Sequence, residues 1–110
     1  MLAQEGGFEK IMGVIHSKLV GVTYRGRQRN FELVKENDIL FWKHCPDNEF
    51  DSNAILVYAD SAMTRELGHL KRSVAKRFVE ILQKEKPIIV CAKITGEGKK
   101  MKGMNVRVVC

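Results

Sequence analysis

The residues best equipped for chemistry lie between His44 and Asn53, HCPDNEFDSN, where Asp47, Glu49 and Asp51 fall within five positions of one another around Phe50. Carboxylates this close could bind a divalent metal for phosphodiester cleavage. A two-metal site, however, needs acidic ligands converging from more than one segment, and no second acidic cluster exists in the sequence. His44 and Cys45 do not form a nucleophile and base, because adjacent strand residues point to opposite faces. Cys45, Cys91 and Cys110 with His16, His44 and His69 show no zinc-ligand spacing. No Ser-His-Asp or phosphate-loop pattern is present. The expectation is a protein without catalysis, metal or cofactor.

What remains is binding chemistry, and charge indicates its kind. The net charge is +6, and the basic residues gather in three places: Lys18 with Arg25, Arg27 and Arg29; Lys71 and Arg72 with Lys76 and Arg77; and Lys99, Lys100 and Lys102. Such clusters attract polyanions, because each neutralised phosphate releases counterions. Tyr24, beside the first of these clusters, and Phe50, in the polar turn, offer faces on which bases can stack with little regard to sequence. A carboxylate set in a basic pocket would repel phosphate, so Asp51 in such a pocket would make chemical sense facing a hydroxyl. Chain ends have a hydroxyl and interior phosphodiesters lack one.

The elements that must position these groups follow from periodicity. Ile11–Tyr24 reads as one long or bent strand with Gly13 and Gly21 as bend points. Arg25–Asn30, RGRQRN, reads as a polar basic loop. Ile39–Lys43 is a short apolar strand, His44–Ser52 a turn, and Asn53–Tyr58 another strand. From Val74 to Leu82 the apolar residues recur at helical spacing, with Ser73 as N-cap and Pro87 as the stop. Strands at Ile88–Thr95 and Met104–Val109 flank the loop GEGKKMKG. The expected fold is mainly β (α+β), an OB-like barrel of five or six strands with one main helix. Residues 1–9 are expected to be loose, and 10–110 to form one domain. The cysteine count is odd and widely spaced, which favours reduced thiols. That implies an intracellular protein; for a binder of nucleic acid the expected place is the nucleus in a eukaryote and the cytoplasm otherwise. No apolar run suggests contact with a membrane.

Three blocks taken in order carry a family resemblance: Val20–Tyr24 (V-G-V-T-Y), Pro46–Ile55 (P-x-N-x-F-D-x-N-A-I) and Leu67–Leu70 (L-G-H-L) directly before the helix. Together they resemble the HIRAN domain, an accessory module of Rad5-type and helicase-like remodellers that also occurs free-standing. The resemblance implies an OB-like barrel that binds single-stranded DNA and captures a free 3′-hydroxyl end in DNA repair or fork processing. It implies that Tyr24 and Phe50 stack on terminal bases and that Asp51 accepts the 3′-OH. Asn48, His69 and Arg72 would hold the terminal nucleotides and phosphates, and Arg25 and Lys71 add basic charge beside them. The partner it implies, besides the DNA end, is a larger remodeller, helicase or nuclease. Two positions depart from the family pattern: Thr23 stands where a basic residue precedes the aromatic, and Phe50 replaces a tyrosine.

Each candidate also has a structural reading. Asp51 and Asn53 can cap the turn through Asx hydrogen bonds. Phe50 can anchor in the core, His69 can be a satisfied strand-end histidine, and Trp42 reads as core. Two further functional classes follow: a protein-interaction or structural module on the same barrel without the DNA pocket, and an enzyme such as a nuclease. RNA satisfies the same stacking and phosphate chemistry as DNA.

Overall fold

The computed structural model describes residues 13–24 and 26–110. Six strands carry the fold, and their alternation sets what they bury. β1 (Val14–Val20) buries Ile15 and Leu19 and exposes Val14, His16, Lys18 and Val20. β6 (Gly103–Val109) buries Met104, Val106 and Val108 in the same period. β2 (Ile39–His44), β3 (Ile55–Tyr58), β4 (Glu66–Leu70) and β5 (Ile88–Thr95) complete the set, with a bulge between Cys91 and Lys93. All neighbours are antiparallel in the order β1-β4-β3-β2-β5-β6, and β6 pairs back onto β1 to close a barrel. Closure leaves no long unpaired edge. This is the OB-like barrel expected, with six strands.

Two strands turn the corners. β1 pairs with β6 from Val14 to Lys18 and with β4 at Leu19 and Val20. β2 pairs with β5 at Ile39 and Leu40, then with β3 from Phe41 to His44. The strand read as Ile11–Tyr24 is therefore shorter. It ends where Gly21 adopts φ +67°, and Ile11 and Met12 lie outside the described residues, as does the segment 1–9. The strand beginning at Asn53 starts two residues later, because the turn holds Ala54.

Helix α1 (Arg72–Ile81) follows β4 and buries Val74, Ala75 and Phe78 against the barrel. Its start corrects the expected cap. Ala75 N donates to Lys71 O at 2.8 Å, so Ser73 lies inside the first turn, and no side chain caps the helix. The helix also ends without Pro87: the chain leaves at Ile81, whose carbonyl accepts from both Lys84 N and Glu85 N. Pro87 serves another purpose, accepting from Trp42 Nε1 at 3.2 Å. Trp42 is half-buried rather than fully core, and packs its ring edge-on to Phe78 at 4.8 Å.

Gly68 is required by the closeness of β1 and β4. A Cβ there would meet Val20 O at 2.7 Å and Leu19 Cβ at 3.3 Å. Because a backbone carbonyl cannot swing away, Gly68→Ala is expected to cost about 1–3 kcal/mol of stability, the usual range for overpacking. A denaturation midpoint equal to wild type would show that the strands separate easily.

Burial pushes the Cys91 thiol above its usual pKa, and Asp38 and Glu36 add to the effect. It therefore behaves as a neutral core group. Cys45, Cys91 and Cys110 are all free of disulfides.

Candidate nucleic-acid interface

One wall is the turn between β2 and β3, which is held by its own side chains. Asn48 Oδ1 accepts from Phe50 N and Asp51 N, each at 2.9 Å, and Asp51 Oδ1 accepts from Asn53 N at 2.9 Å. Cys45 N to Ala54 O and Ala54 N to Asp51 O close the turn at 2.9 and 3.0 Å. With the backbone so committed, Phe50 cannot reach the core. The residue is 78% exposed, so it does not serve as a core anchor. The Asx roles of Asn48 and Asp51 are present; for Asn53 the backbone N–H is the group engaged.

The other wall begins at Gly21. Tyr24 N donates to Gly21 O and Arg27 N to Tyr24 O, a tight descent off β1. Tyr24 is 59% exposed. Under it lies Arg27, whose guanidinium carbon is 5.6 Å from the ring centroid, a distance suited to cation–π attraction. Here the basic loop reading of Arg25–Asn30 is corrected: Arg27–Leu33 is a 3-10 helix, with Arg27, Asn30 and Phe31 buried. Arg27 donates through Nε and Nη2 to Glu66 Oε1 at 3.1 and 2.9 Å, and through Nη1 to Gly21 O at 2.9 Å. Asn30 Nδ2 donates to Glu66 O at 2.8 Å. The segment becomes helical because these buried donors find acceptors on β4.

Between the walls is a depression of about 560 Å³ lined by Tyr24, Arg27, Asn48, Phe50, Glu66 and His69, among others. A second, of about 220 Å³, adjoins it, with Val20, Asp51, Leu70 and Arg72 in its lining. Asn48, Phe50 and His69 line both, so the two form one groove. His69 stands between Val20 and Leu56 in the sheet register, with Nδ1 3.4 Å from Arg27 Nη1. Arg72 Nε is 3.8 Å from Asp51 Oδ2, and its Nη2 donates to Phe50 O.

Tyr24, Asn48, Phe50, Asp51, His69 and Arg72 thus come together. Lys71 is exposed at the start of α1, outside both depressions. Arg25 lies outside the described residues. Sequence reasoning missed Arg27 and Glu66, which form the floor. Nothing local separates Arg27 from Arg29, and the partner is distant in sequence. Among the described residues no three His, Cys, Asp or Glu side chains cluster as metal ligands. No helix among them is long and apolar enough to cross a membrane.

Because Phe50 is exposed, its two possible losses separate cleanly. If a base rests on the ring, Phe50→Ala is expected to weaken single-strand binding by about 1–3 kcal/mol. The melting temperature should stay near wild type, because no buried surface is lost. Titration and thermal melts on the same samples decide it; unchanged binding would remove Phe50 from the interface.

Comparison with known proteins agrees with the motifs. The family pattern described as "HIRAN domain" matches residues 12–109. No curated protein matches the chain significantly. Among solved structures, the HIRAN domain of human HLTF is similar at 20% identity and a TM-score of 0.59, covering 87% of this chain and 74% of that one. A Lactobacillus plantarum protein is similar at 15% identity and a TM-score of 0.66, covering 89% of this chain and all of the other. At these identities the two structures speak for the fold.

Proposed function

Since the chain belongs to the HIRAN family, which is known for DNA binding, we propose that it is a non-catalytic module that binds single-stranded DNA and recognises a 3′-hydroxyl end. The observation that supports this most is the groove's composition. Two exposed rings, Tyr24 and Phe50, border it, and its second half pairs the Asp51 carboxylate with the Arg72 guanidinium. Rings on opposite walls suit stacked terminal bases. Arg72 suits a phosphate, and Asp51 suits the hydroxyl that only a chain end provides.

Asn48 contributes through the turn, because its side-chain oxygen is already used by two backbone N–H groups. His69, on the groove's shared rim, and Arg72 are the polar contacts to the terminal nucleotides. Lys71, exposed at the start of α1, adds positive charge nearby, and Arg25 is counted with it for its charge next to Tyr24 in the sequence. Acting on a strand terminus suits a role in repair or fork processing beside a larger remodeller, helicase or nuclease. The reading is tested by titrating labelled single strands that differ only at the 3′ terminus. Preference for the hydroxyl supports it; equal affinity for hydroxyl and phosphate ends overturns end recognition.

A further inference from the structure

One basic surface is not used by the groove. On an antiparallel sheet, directly opposed residues share a face, and the register places Lys18 beside Asn105 and Asn105 beside Lys93. All three are exposed, so they form a polar row across the outside of β1, β6 and β5. The next row is His16, Arg107 and Val90. None of the outward positions on these three strands is acidic.

This face adjoins the groove. Val20 lines the second depression and lies on the same side of β1 as Lys18, which stands two residues, about 6.6 Å, further along. The β5–β6 loop extends the face with exposed Lys99, Lys100 and Lys102 against one carboxylate, Glu97. The loop is held in place. Gln28 Nε2 donates to Val22 O at 3.0 Å and to Lys102 O at 2.9 Å, while its Oε1 accepts from Lys102 N at 2.8 Å. That clamp ties the loop to the segment bearing Thr23 and Tyr24. Gly96, at φ +82°, lets the backbone pass so close that a Cβ would meet Met101 O at 2.6 Å.

We infer that this outer face carries the phosphate backbone of the DNA strand upstream of the end held in the groove, with Lys18, Lys93, Lys99 and Lys100 binding its phosphates. The inference rests on the single-strand reading and extends it from the terminal nucleotides to the strand behind them. Lysines on either side of Asn105, with no acidic residue among the outward positions of the three strands, fit a repeating anion, and the face's continuity with Val20 gives the strand a path out of the groove.

The test uses the full chain and two oligonucleotides with the same 3′ end, a 4-mer and a 15-mer. Wild type should bind the 15-mer more tightly and with a steeper salt dependence. The variant K18Q/K93Q/K99Q/K100Q should leave 4-mer affinity and melting temperature unchanged, since the side chains are exposed. For the 15-mer it should lose about tenfold at low salt, in keeping with a few exposed ion pairs. Its salt slope should become shallower by about 0.7 for each phosphate that is no longer neutralised. Equal 15-mer affinity and slope in variant and wild type would overturn the inference, as would equal weakening of both oligonucleotides. The 3′-terminus titration reports on the groove alone. Indifference to the terminus with a length-dependent loss in the variant would sink end recognition and leave the outer face standing.

Discussion

An oligonucleotide ending in a 3′-phosphate is expected to bind several kcal/mol more weakly than the same strand ending in a 3′-hydroxyl, the usual cost of setting like charges together. The Asp51 side chain is 19% exposed, and one of its oxygens is committed to the turn through Asn53 N. The other faces the groove 3.8 Å from Arg72 Nε. A terminal hydroxyl can donate to that oxygen, whereas a phosphate dianion meets it as a like charge. Arg72 offsets some of the repulsion, but its side chain is 74% exposed, and a solvated pair of this kind contributes about 1 kcal/mol at most. Repulsion therefore wins. A 3′-deoxy end removes the donor without adding charge and should lose less, about 1 kcal/mol, the low end for an unpaired acceptor that water still reaches. Asp51→Asn is the informative variant. Its amide oxygen can still cap the turn while the charge is gone, so the gap between hydroxyl and phosphate ends should narrow with the fold intact. Fluorescence titrations with all three termini measure it. A gap that survives Asp51→Asn unchanged would assign the discrimination to another group.

The largest effect on stability is expected from Glu66→Ala. Arg27 is 3% exposed and depends on Glu66 for two of its charged hydrogen bonds. Removing the carboxylate leaves a buried guanidinium with Gly21 O as its remaining backbone acceptor. Breaking one side of a buried pair costs about 3–5 kcal/mol, and with Glu66 itself 30% exposed the lower part of that range applies. Arg27→Lys should also destabilise, because an ammonium cannot reproduce the planar fork that spans Glu66 and Gly21. By contrast Arg72→Ala, which removes the exposed partner of Asp51, should change stability by less than about 1 kcal/mol. Urea denaturation of the three variants tests the ordering. If Glu66→Ala unfolds at the wild-type midpoint, the pair is not what fixes the 3-10 helix to β4. The same variant should blunt DNA binding, because Arg27 supports Tyr24 from below.

What the amino-acid order determined by itself is the set of features whose causes lie within a few residues. Alternation along β1 and β6 sets which side chains face inward, since successive strand residues point to opposite sides. Asn48 and Asp51 build their turn from backbone groups two and three positions away, so the turn is a local consequence, whereas the exposure of Phe50 had to be seen in the fold. The helical spacing of Val74, Ala75 and Phe78 identified α1, though not its cap, because the first helical bond reaches back to Lys71. The tertiary structure alone decided what depends on distant partners. Arg27 and Arg29 look alike in RGRQRN; Arg27 is buried because Glu66, 39 positions later, lies beneath it. Gly68 is needed because barrel closure brings Val20 O against it. Lys18 and Lys93 share a face only through Asn105 between them. Tyr24 and Phe50 become opposite walls of one groove because β4 lies between β1 and β3. Strand order and closure are long-range choices, and a periodicity read within one segment carries no information about which segment becomes its neighbour.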